Sequence, residues 1–168
     1  MRKLVCALAV FGATGLGGVA AAAKSNGDGG GSAGPTGVHL TPLSDATIAA
    51  SVHATGAGAK LDTRGPEQVL VTAITVDPGG SFGWHSHPGP VLVTVSKGTL
   101  VLYHAERHRC VRMPYSAGQG FVETGGMVHL ARNETTGPVE LNATFLARPG
   151  TKDFLVPEAQ PSACAGAR

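Results

Sequence analysis

The sequence predicts an all-β domain built as a sandwich or a barrel. With 168 residues, the chain is long enough for one domain with a modest core. It contains 25 glycines and 11 prolines but few aromatic side chains, a composition that favours many short strands joined by tight turns. Short β-branched and apolar runs recur at regular spacing, and no helical period is long enough to predict a substantial helix.

The N-terminus is typical of an export signal, which we assign to residues 1–23. Arg2 and Lys3 precede an apolar stretch over 4–18, and the alanines at 21–23 offer a cleavage site. A membrane anchor is the alternative, but the apolar run is short and glycine-rich for a span of about 20 residues. We therefore predict a secreted or extracytoplasmic protein.

The remaining chain divides into a linker and one domain. Residues 24–37 are rich in glycine and serine, which predicts a flexible linker, and the barrel domain with an irregular C-terminal tail follows over 38–168. Removing the signal takes two of the 13 basic side chains and none of the 11 acidic ones, so the mature chain is formally neutral. We expect a small-molecule ligand as partner, with no electrostatic case for nucleic acid or for a membrane after signal removal. A homodimer is left open.

Eight strands are predicted in order along the chain. They are Val38–Leu43, Thr47–His53, Gln68–Val76, Val91–Val95, Thr99–Tyr103, Gly120–Glu123, Val128–Arg132 and Val139–Ala147. The run Gln68–Val76 is nearly all apolar or β-branched, which predicts a strand that is central in a sheet or buried on both faces.

Turn residues separate these strands. Gly56–Gly58 and Asp77–Gly80 are turn signals, and Pro88–Pro90 should interrupt strand pairing. Lys97-Gly98 is predicted to close a hairpin between the strands on either side of it. The basic segment Arg107–Arg112 is interpreted as a solvated loop or the end of a hairpin.

Two histidines in the middle of the chain suggest a metal site. His85 and His87 are two residues apart, so on a strand both imidazoles point to one face of the sheet. Neutral imidazole is the commonest metal ligand. With seven histidines in the chain, however, this spacing is weak evidence without its context. His39 and His53 have no partner at metal-ligand spacing and are interpreted as ordinary strand or surface residues.

The context resembles the two motifs of the cupin family over the region Val69–Leu146. The first motif is matched by Gly79, His85-x-His87 after five residues, Val91 after three more and Gly98 after six more. The second is matched by Gly118, Thr124-x-Gly126 after five residues, His129 after two more and Asn133 after three more. Two positions depart from the family pattern: Val91 stands where cupins usually have a glutamate, and Thr124 where they usually have a proline.

The resemblance implies a double-stranded β-helix, a jelly-roll barrel, with a mononuclear metal centre. His85, His87 and His129 would converge inside the barrel on a divalent ion, for which Zn, Fe, Mn, Ni and Cu are all suitable. With Val91 in place of the glutamate, we expect the site to keep the full charge of the metal and to favour an anionic ligand or hydroxide. A metal-free barrel whose histidines only line a pocket is the alternative.

The sequence therefore predicts an exported metal-binding protein that coordinates a small oxygen-bearing ligand and, as an enzyme, would transform it. A non-catalytic module that binds a small molecule or sequesters metal is the rival hypothesis, because no general base is evident beside the ligands. Phe82, Trp84 and Phe121 would line the pocket or pack the core. Four residues with polar groups are candidates for contacts to the ligands, although each by itself is better interpreted as structural or exposed. They are Tyr103, His104, Tyr115 and Glu123.

The cysteines are consistent with an oxidising compartment. Cys6 leaves with the signal, so the mature chain keeps Cys110 and Cys164, an even pair that predicts a disulfide in an exported protein. Two free thiols are the alternative. A bridge would hold down a C-terminal tail that has little apolar surface of its own.

Overall fold

The computed structural model describes residues 34–167, so the predicted signal peptide and residues 24–33 of the predicted linker lie outside the described residues. The elements are β1 (Thr36–Ile48), β2 (His53–Gly56), β3 (Ala59–Asp62), β4 (Glu67–Ser86), β5 (Val91–Lys97), β6 (Thr99–Glu106), β7 (Arg109–Ser116), β8 (Gly120–Glu123), β9 (His129–Asn133), β10 (Val139–Ala147), β11 (Val156–Pro157) and a short 3₁₀ helix (Ser162–Cys164). Within residues 34–167, no helix is long and apolar enough to cross a membrane.

Nine of the strands form one antiparallel sheet that curls into a nearly closed barrel. The order along the sheet is β7-β6-β9-β4-β10-β5-β8, and β1 and β11 also pair with β4. β2 and β3 form a separate hairpin around the predicted turn at Gly56–Gly58. This architecture confirms the predicted all-β double-stranded β-helix.

The longest strand, β4, runs through the segment where a turn was predicted. The prediction of a turn at Asp77–Gly80 was wrong, because β4 continues from Glu67 to Ser86 and bends instead of reversing. Gly79 and Gly83 have φ of +74° and +72°, a conformation that glycine adopts without steric cost. β4 pairs mainly with β1 and β10 before this bend and with β9 and β11 after it. One strand therefore serves both sides of the barrel.

The predicted hairpin at Lys97-Gly98 was also wrong. β5 pairs with β10 and β8, whereas β6 pairs with β9 and β7, so Gly98 carries the chain from one side of the barrel to the other. A side chain at Gly98 would place its Cβ 2.8 Å from the carbonyl oxygen of Pro138. The short connection with glycine resembles a hairpin turn locally, but the pairing partners are distant in sequence.

The other predicted strands differ mainly at their ends. The first expected strand, Val38–Leu43, lies within β1, which starts at Thr36 inside the predicted linker and shifts register between Pro42 and Ser44. Such a shift is common at proline, which has no N–H for the ladder. The second expected strand, Thr47–His53, was wrong, because β1 ends at Ile48 and the next strand begins only at His53. β8 and β10 have the predicted bounds. The basic segment Arg107–Arg112 is the predicted hairpin end only at residues 107–108, whereas Arg109–Arg112 belong to β7, a strand that was not predicted.

Two groups of buried apolar side chains stabilise the fold. The larger fills the barrel interior and comprises Ile74, Val76, Phe82, Val91, Val93, Val95, Leu100, Leu102, Ala131, Val139, Leu141, Ala143 and Phe145. The smaller lies on the opposite face of the sheet and contains Trp84, Leu130 and Cys164. Cys164 is joined to Cys110 of β7 by a disulfide, which confirms the predicted pairing and ties the C-terminal tail to the barrel.

Candidate metal centre

Three buried histidines meet inside the barrel. His85 lies at the end of β4, His87 directly follows that strand, and His129 begins β9, where it pairs directly with His85. Because residues two apart on a strand share a face, His87 points to the same side. The three side chains are 4%, 4% and 0% exposed, and one nitrogen from each lies within 4.8 Å of the other two. The group could hold a metal ion.

Backbone carbonyls fix the orientation of all three imidazoles. The Nδ1 atom donates to the carbonyl of Gly83 in His85 (2.9 Å), of Phe154 in His87 (2.6 Å) and of Met127 in His129 (2.9 Å). A carbonyl can only accept, so each Nδ1 carries a proton, and in the neutral ring Nε2 presents its lone pair. This outer hydrogen bond is what orients histidine ligands in metal centres.

A carboxylate lies among the imidazoles. Glu123 is only 4% exposed, and its carboxylate oxygens lie 3.1 Å from Nε2 of His87 and 3.0 Å from Nε2 of His129. Glu123 is therefore the one of the four polar candidates whose side chain lies beside these histidines, and its interpretation as structural or exposed was wrong. On β8 the alternation is ambiguous, because Phe121 and Val122 offer one apolar residue to each face, and the structure exposes Val122.

The register of β5 and β8 explains how Glu123 reaches the site. Val91 and Glu123 are directly paired across these strands. Side chains of directly opposed residues point to the same face, with Cβ atoms about 4.5–5.5 Å apart. Val91 is 1% exposed and lines the same cavity as Glu123. β8 therefore supplies a carboxylate, Glu123, directly opposite Val91, the position on β5 at which cupins usually have a glutamate.

Burial and mutual pairing shift the pKa values of the buried groups in different directions. Burial lowers the pKa of His85 to about 3, helped by the neighbouring His129, so this ring is neutral near pH 7. Burial alone would raise the pKa of the Glu123 carboxyl, but the contacts with His129 and His87 outweigh burial and lower that pKa to about 2. Burial would likewise lower the pKa of His129, yet its pairing with Glu123 raises it.

Comparison with known families agrees with this geometry. Residues 72–145 match the family model of the cupin domain, and this segment contains all three histidines and Glu123. The protein carries a cupin domain. A search of curated proteins finds no match to the chain.

Several solved structures are similar to this cupin, all at low identity. The cupin domain of an XRE-family transcriptional regulator from Enterobacter cloacae is 18% identical, with 68% of this chain and 99% of that chain covered and a TM-score of 0.44. A Klebsiella pneumoniae protein with a double-stranded β-helix domain is 19% identical, with coverage of 70% and 84% and a TM-score of 0.44. A mutant oxalate decarboxylase from Bacillus subtilis is 20% identical, with coverage of 49% and 22% and a TM-score of 0.44. These likenesses are too distant to transfer a function to this cupin.

A narrow apolar cavity opens onto the histidines. Apart from His85, His87 and Glu123, its walls are aliphatic and aromatic side chains. Phe82 and Phe121 line it, whereas Trp84 belongs to the smaller buried cluster on the opposite face of the sheet. Among the described residues that line the cavity, there is no lysine or arginine.

The remaining polar candidates lie away from the centre, as predicted. Tyr103 donates to the carboxylate of Glu134 on the outside of the barrel, and Tyr115 stacks on Phe121. His104 pairs with His129 in register but is not one of the residues whose nitrogens converge. His39 and His53 each pair with an aspartate on the surface.

Proposed function

We propose that this cupin binds one divalent transition metal through His85, His87 and His129, and coordinates a small oxygen-bearing ligand there. The convergence of three buried Nε2 atoms, each turned inward by a hydrogen bond at Nδ1, carries the proposal. A set of three nitrogen donors accepts Zn, Fe, Mn, Ni or Cu, and availability decides among them.

The residues fit a cation on physical grounds. Nε2 of His129 is buried and has no well-directed hydrogen bond, although Glu123 lies 3.0 Å away. In the neutral ring this atom is an acceptor that faces another acceptor, which is unfavourable unless a cation or a proton lies between them. A metal would satisfy both atoms at once, and when bound it would supply a Lewis acid that polarises an oxygen ligand.

The cavity wall narrows the class of ligand. Without a basic side chain on the described part of the wall, an anionic group remote from the metal has no partner there. Burying such an unpaired charge would be costly. The site therefore suits a small ligand that binds through oxygen and presents an apolar remainder, and it disfavours a dicarboxylate.

Metal analysis of the mature protein, purified without a histidine tag, tests this proposal. We expect about one metal per chain by mass spectrometry after loading, and none in the variant in which all three histidines are replaced by alanine. Replacement of the exposed His39 and His53 by alanine is the matched control and should leave the stoichiometry unchanged. Stoichiometric metal in the triple variant would overturn the assignment.

We also propose that the protein acts outside the cytoplasm. The basic start and apolar stretch of residues 1–23 support export, as does the disulfide between Cys110 and Cys164, since such bonds persist in oxidising compartments. N-terminal sequencing of protein recovered from the producing cells should find a new terminus at Lys24. A chain that still begins at Met1 and stays in the cytoplasm would contradict export.

A further inference from the structure

We propose that Glu123 is a fourth protein ligand to the metal, a carboxylate supplied by β8 in place of the one that the first motif lacks at Val91. This inference rests on the proposed metal centre and changes its charge and its number of open positions. It also reverses the expectation from sequence that no protein carboxylate reaches the metal.

The first argument is position. The carboxylate oxygens of Glu123 lie 3.1 Å and 3.0 Å from the Nε2 atoms of His87 and His129, the same atoms that turn inward from the barrel wall. Direct pairing with Val91 places both side chains on one face of the sheet. A carboxylate entering from β8 therefore approaches the same interior point as one entering from β5.

The second argument is rigidity, because a ligand must be held close to its productive position. The amide of Gly126 donates to the carbonyl of His87 (2.8 Å), which ties the end of β8 to the end of β4. Gly125 packs so closely on Gly89 that a Cβ there would lie 2.9 Å from the Gly89 Cα. One backbone hydrogen bond and one close backbone contact thus fix Glu123 relative to His87.

The third argument is charge. In the described part of the chain, the ion-pair partners of Glu123 are His87 and His129, and no lysine or arginine pairs with it. A buried carboxylate is costly unless it is paired or coordinates a metal. A divalent ion among the four groups would neutralise it and relieve the contact between acceptors.

A carboxylate ligand has consequences for what the site binds. Three neutral imidazoles would leave a divalent ion with its charge of two, whereas Glu123 would reduce the net charge to one. The attraction for an exogenous anion would fall, and one fewer position would remain for it. A neutral or weakly acidic ligand is therefore favoured over a strong anion.

The experiment compares the wild type with Glu123→Gln, Glu123→Asp and the exchange variant Val91→Glu/Glu123→Val. Metal affinity is measured by competition with a chromogenic chelator, and the ligand set by the visible absorption spectrum of the Co²⁺-loaded protein. We expect Glu123→Gln to lose affinity by roughly 10-fold or more, to change the Co²⁺ spectrum and to bind azide more tightly. The exchange variant should regain most of the affinity, because it returns the carboxylate to the same face from β5. Glu140→Gln, which removes an exposed carboxylate on β10, is the control.

The outcomes separate this inference from the proposed function. Absence of metal binding in the wild type would overturn both. Metal binding in Glu123→Gln with an unchanged Co²⁺ spectrum would overturn only the ligand role of Glu123. This holds even if the metal affinity falls, because the lower affinity would then come from lost hydrogen bonds to the histidines. If Glu123→Gln fails to fold, as judged by circular dichroism, Glu123→Asp and the exchange variant decide by the same spectrum.

Discussion

The two ends of the histidine triad are held by different parts of the molecule. His85 and His129 donate to the carbonyls of Gly83 and Met127, each two residues earlier in the chain, so backbone in or next to the barrel strands orients them. His87 bonds instead to the carbonyl of Phe154, 67 residues later and in the irregular tail. One half of the site is therefore built into the barrel, whereas the other depends on how the tail is anchored.

The tail is anchored at several points beside the site. β11 pairs with His85 and Ser86 of β4, and Ser86 donates to the carboxylate of Glu158. Leu155 forms part of the cavity wall. The disulfide to Cys110 closes the arrangement at its far end. The difference teaches that one of the three proposed ligands depends for its orientation on a segment with little regular structure.

Removing a histidine that the barrel orients should cause the largest loss of metal affinity. Replacing His129 by alanine removes a fully buried ligand that pairs with both His85 and Glu123. We expect metal affinity to fall by more than about 100-fold, the upper range for residues that only orient a ligand. Isothermal titration with Zn²⁺ measures this, with His39→Ala as the exposed control. An affinity within threefold of the wild type would show that the triad does not act as one unit.

Releasing the tail should give the next largest effect. Loss of the 54-residue loop closure in Cys110→Ser/Cys164→Ser should cost up to about 4 kcal/mol of unfolding free energy in the chain-entropy model. We expect metal affinity to fall by roughly 10-fold rather than vanish, since His87 loses an orienting partner but the other ligands stay.

Limited proteolysis and chelator competition measure the two effects of releasing the tail. The tail of the serine variant should be cleaved before the barrel, and a reducing agent should produce the same pattern in the wild type but change nothing further in the variant. A tail that resists protease, together with unchanged affinity, would mean that the disulfide does not support His87.

The metal-free protein should lose stability in acid because the pKa values of His85 and Glu123 are lowered in the folded state. The folded-state pKa of His85 is about 3, below its ordinary value of 6.5, so the unfolded chain takes up the proton first. This lowers the free energy of unfolding as the pH falls from 6.5, by on the order of 3 kcal/mol at pH 4.

The other titrating groups of the site act in adjacent ranges of pH. The pKa of Glu123 is lowered to about 2 from 4.5, so stability is also lost as the pH falls from 4.5. The raised pKa of His129 has the opposite sign, and its contribution is lost as the pH rises through the folded-state value. Urea unfolding in EDTA should therefore show greatest stability near neutral pH. A flat profile between pH 6.5 and 4 in the wild type, or one unchanged in His85→Gln, would contradict this origin.

The smallest effect should come from one anchor of the tail. Ser86→Ala removes the 2.7 Å hydrogen bond to Glu158 and should destabilise the closed tail by about 1 kcal/mol. Hydrogen exchange at residues 154–158 should accelerate severalfold, while metal affinity changes less than about threefold, because the β11 pairing and the disulfide remain. Unchanged exchange in this segment would show that the bond does not hold the tail.

Local patterns predicted most strands of the barrel but missed β3 and β7. Short apolar and β-branched runs bounded by turn residues are properties of single strands, which is why β8 and β10 were predicted with the bounds that the structure has. The spacing of His85 and His87 placed both rings on one face for the same reason. Placing His129 beside them needed the resemblance to the cupin motifs, because no rule of spacing within one strand connects residues 42 or more apart.

Only the tertiary structure decided which strands pair and in which register. A bend at Gly79 and a crossing at Gly98 use the same residue type as a turn, so the sequence alone predicted two reversals that do not occur. Glu123 lies in the site because β8 pairs with β5 and opposes Val91, and Phe154 orients His87 because the tail pairs with β4. The sequence by itself determined the strand content, the paired histidines and the cysteines available for a bridge. The position of the Glu123 carboxylate, which we propose as the fourth ligand, and that of the carbonyl that orients His87 were decided by contacts between residues far apart in the chain, whose energies no local pattern contains.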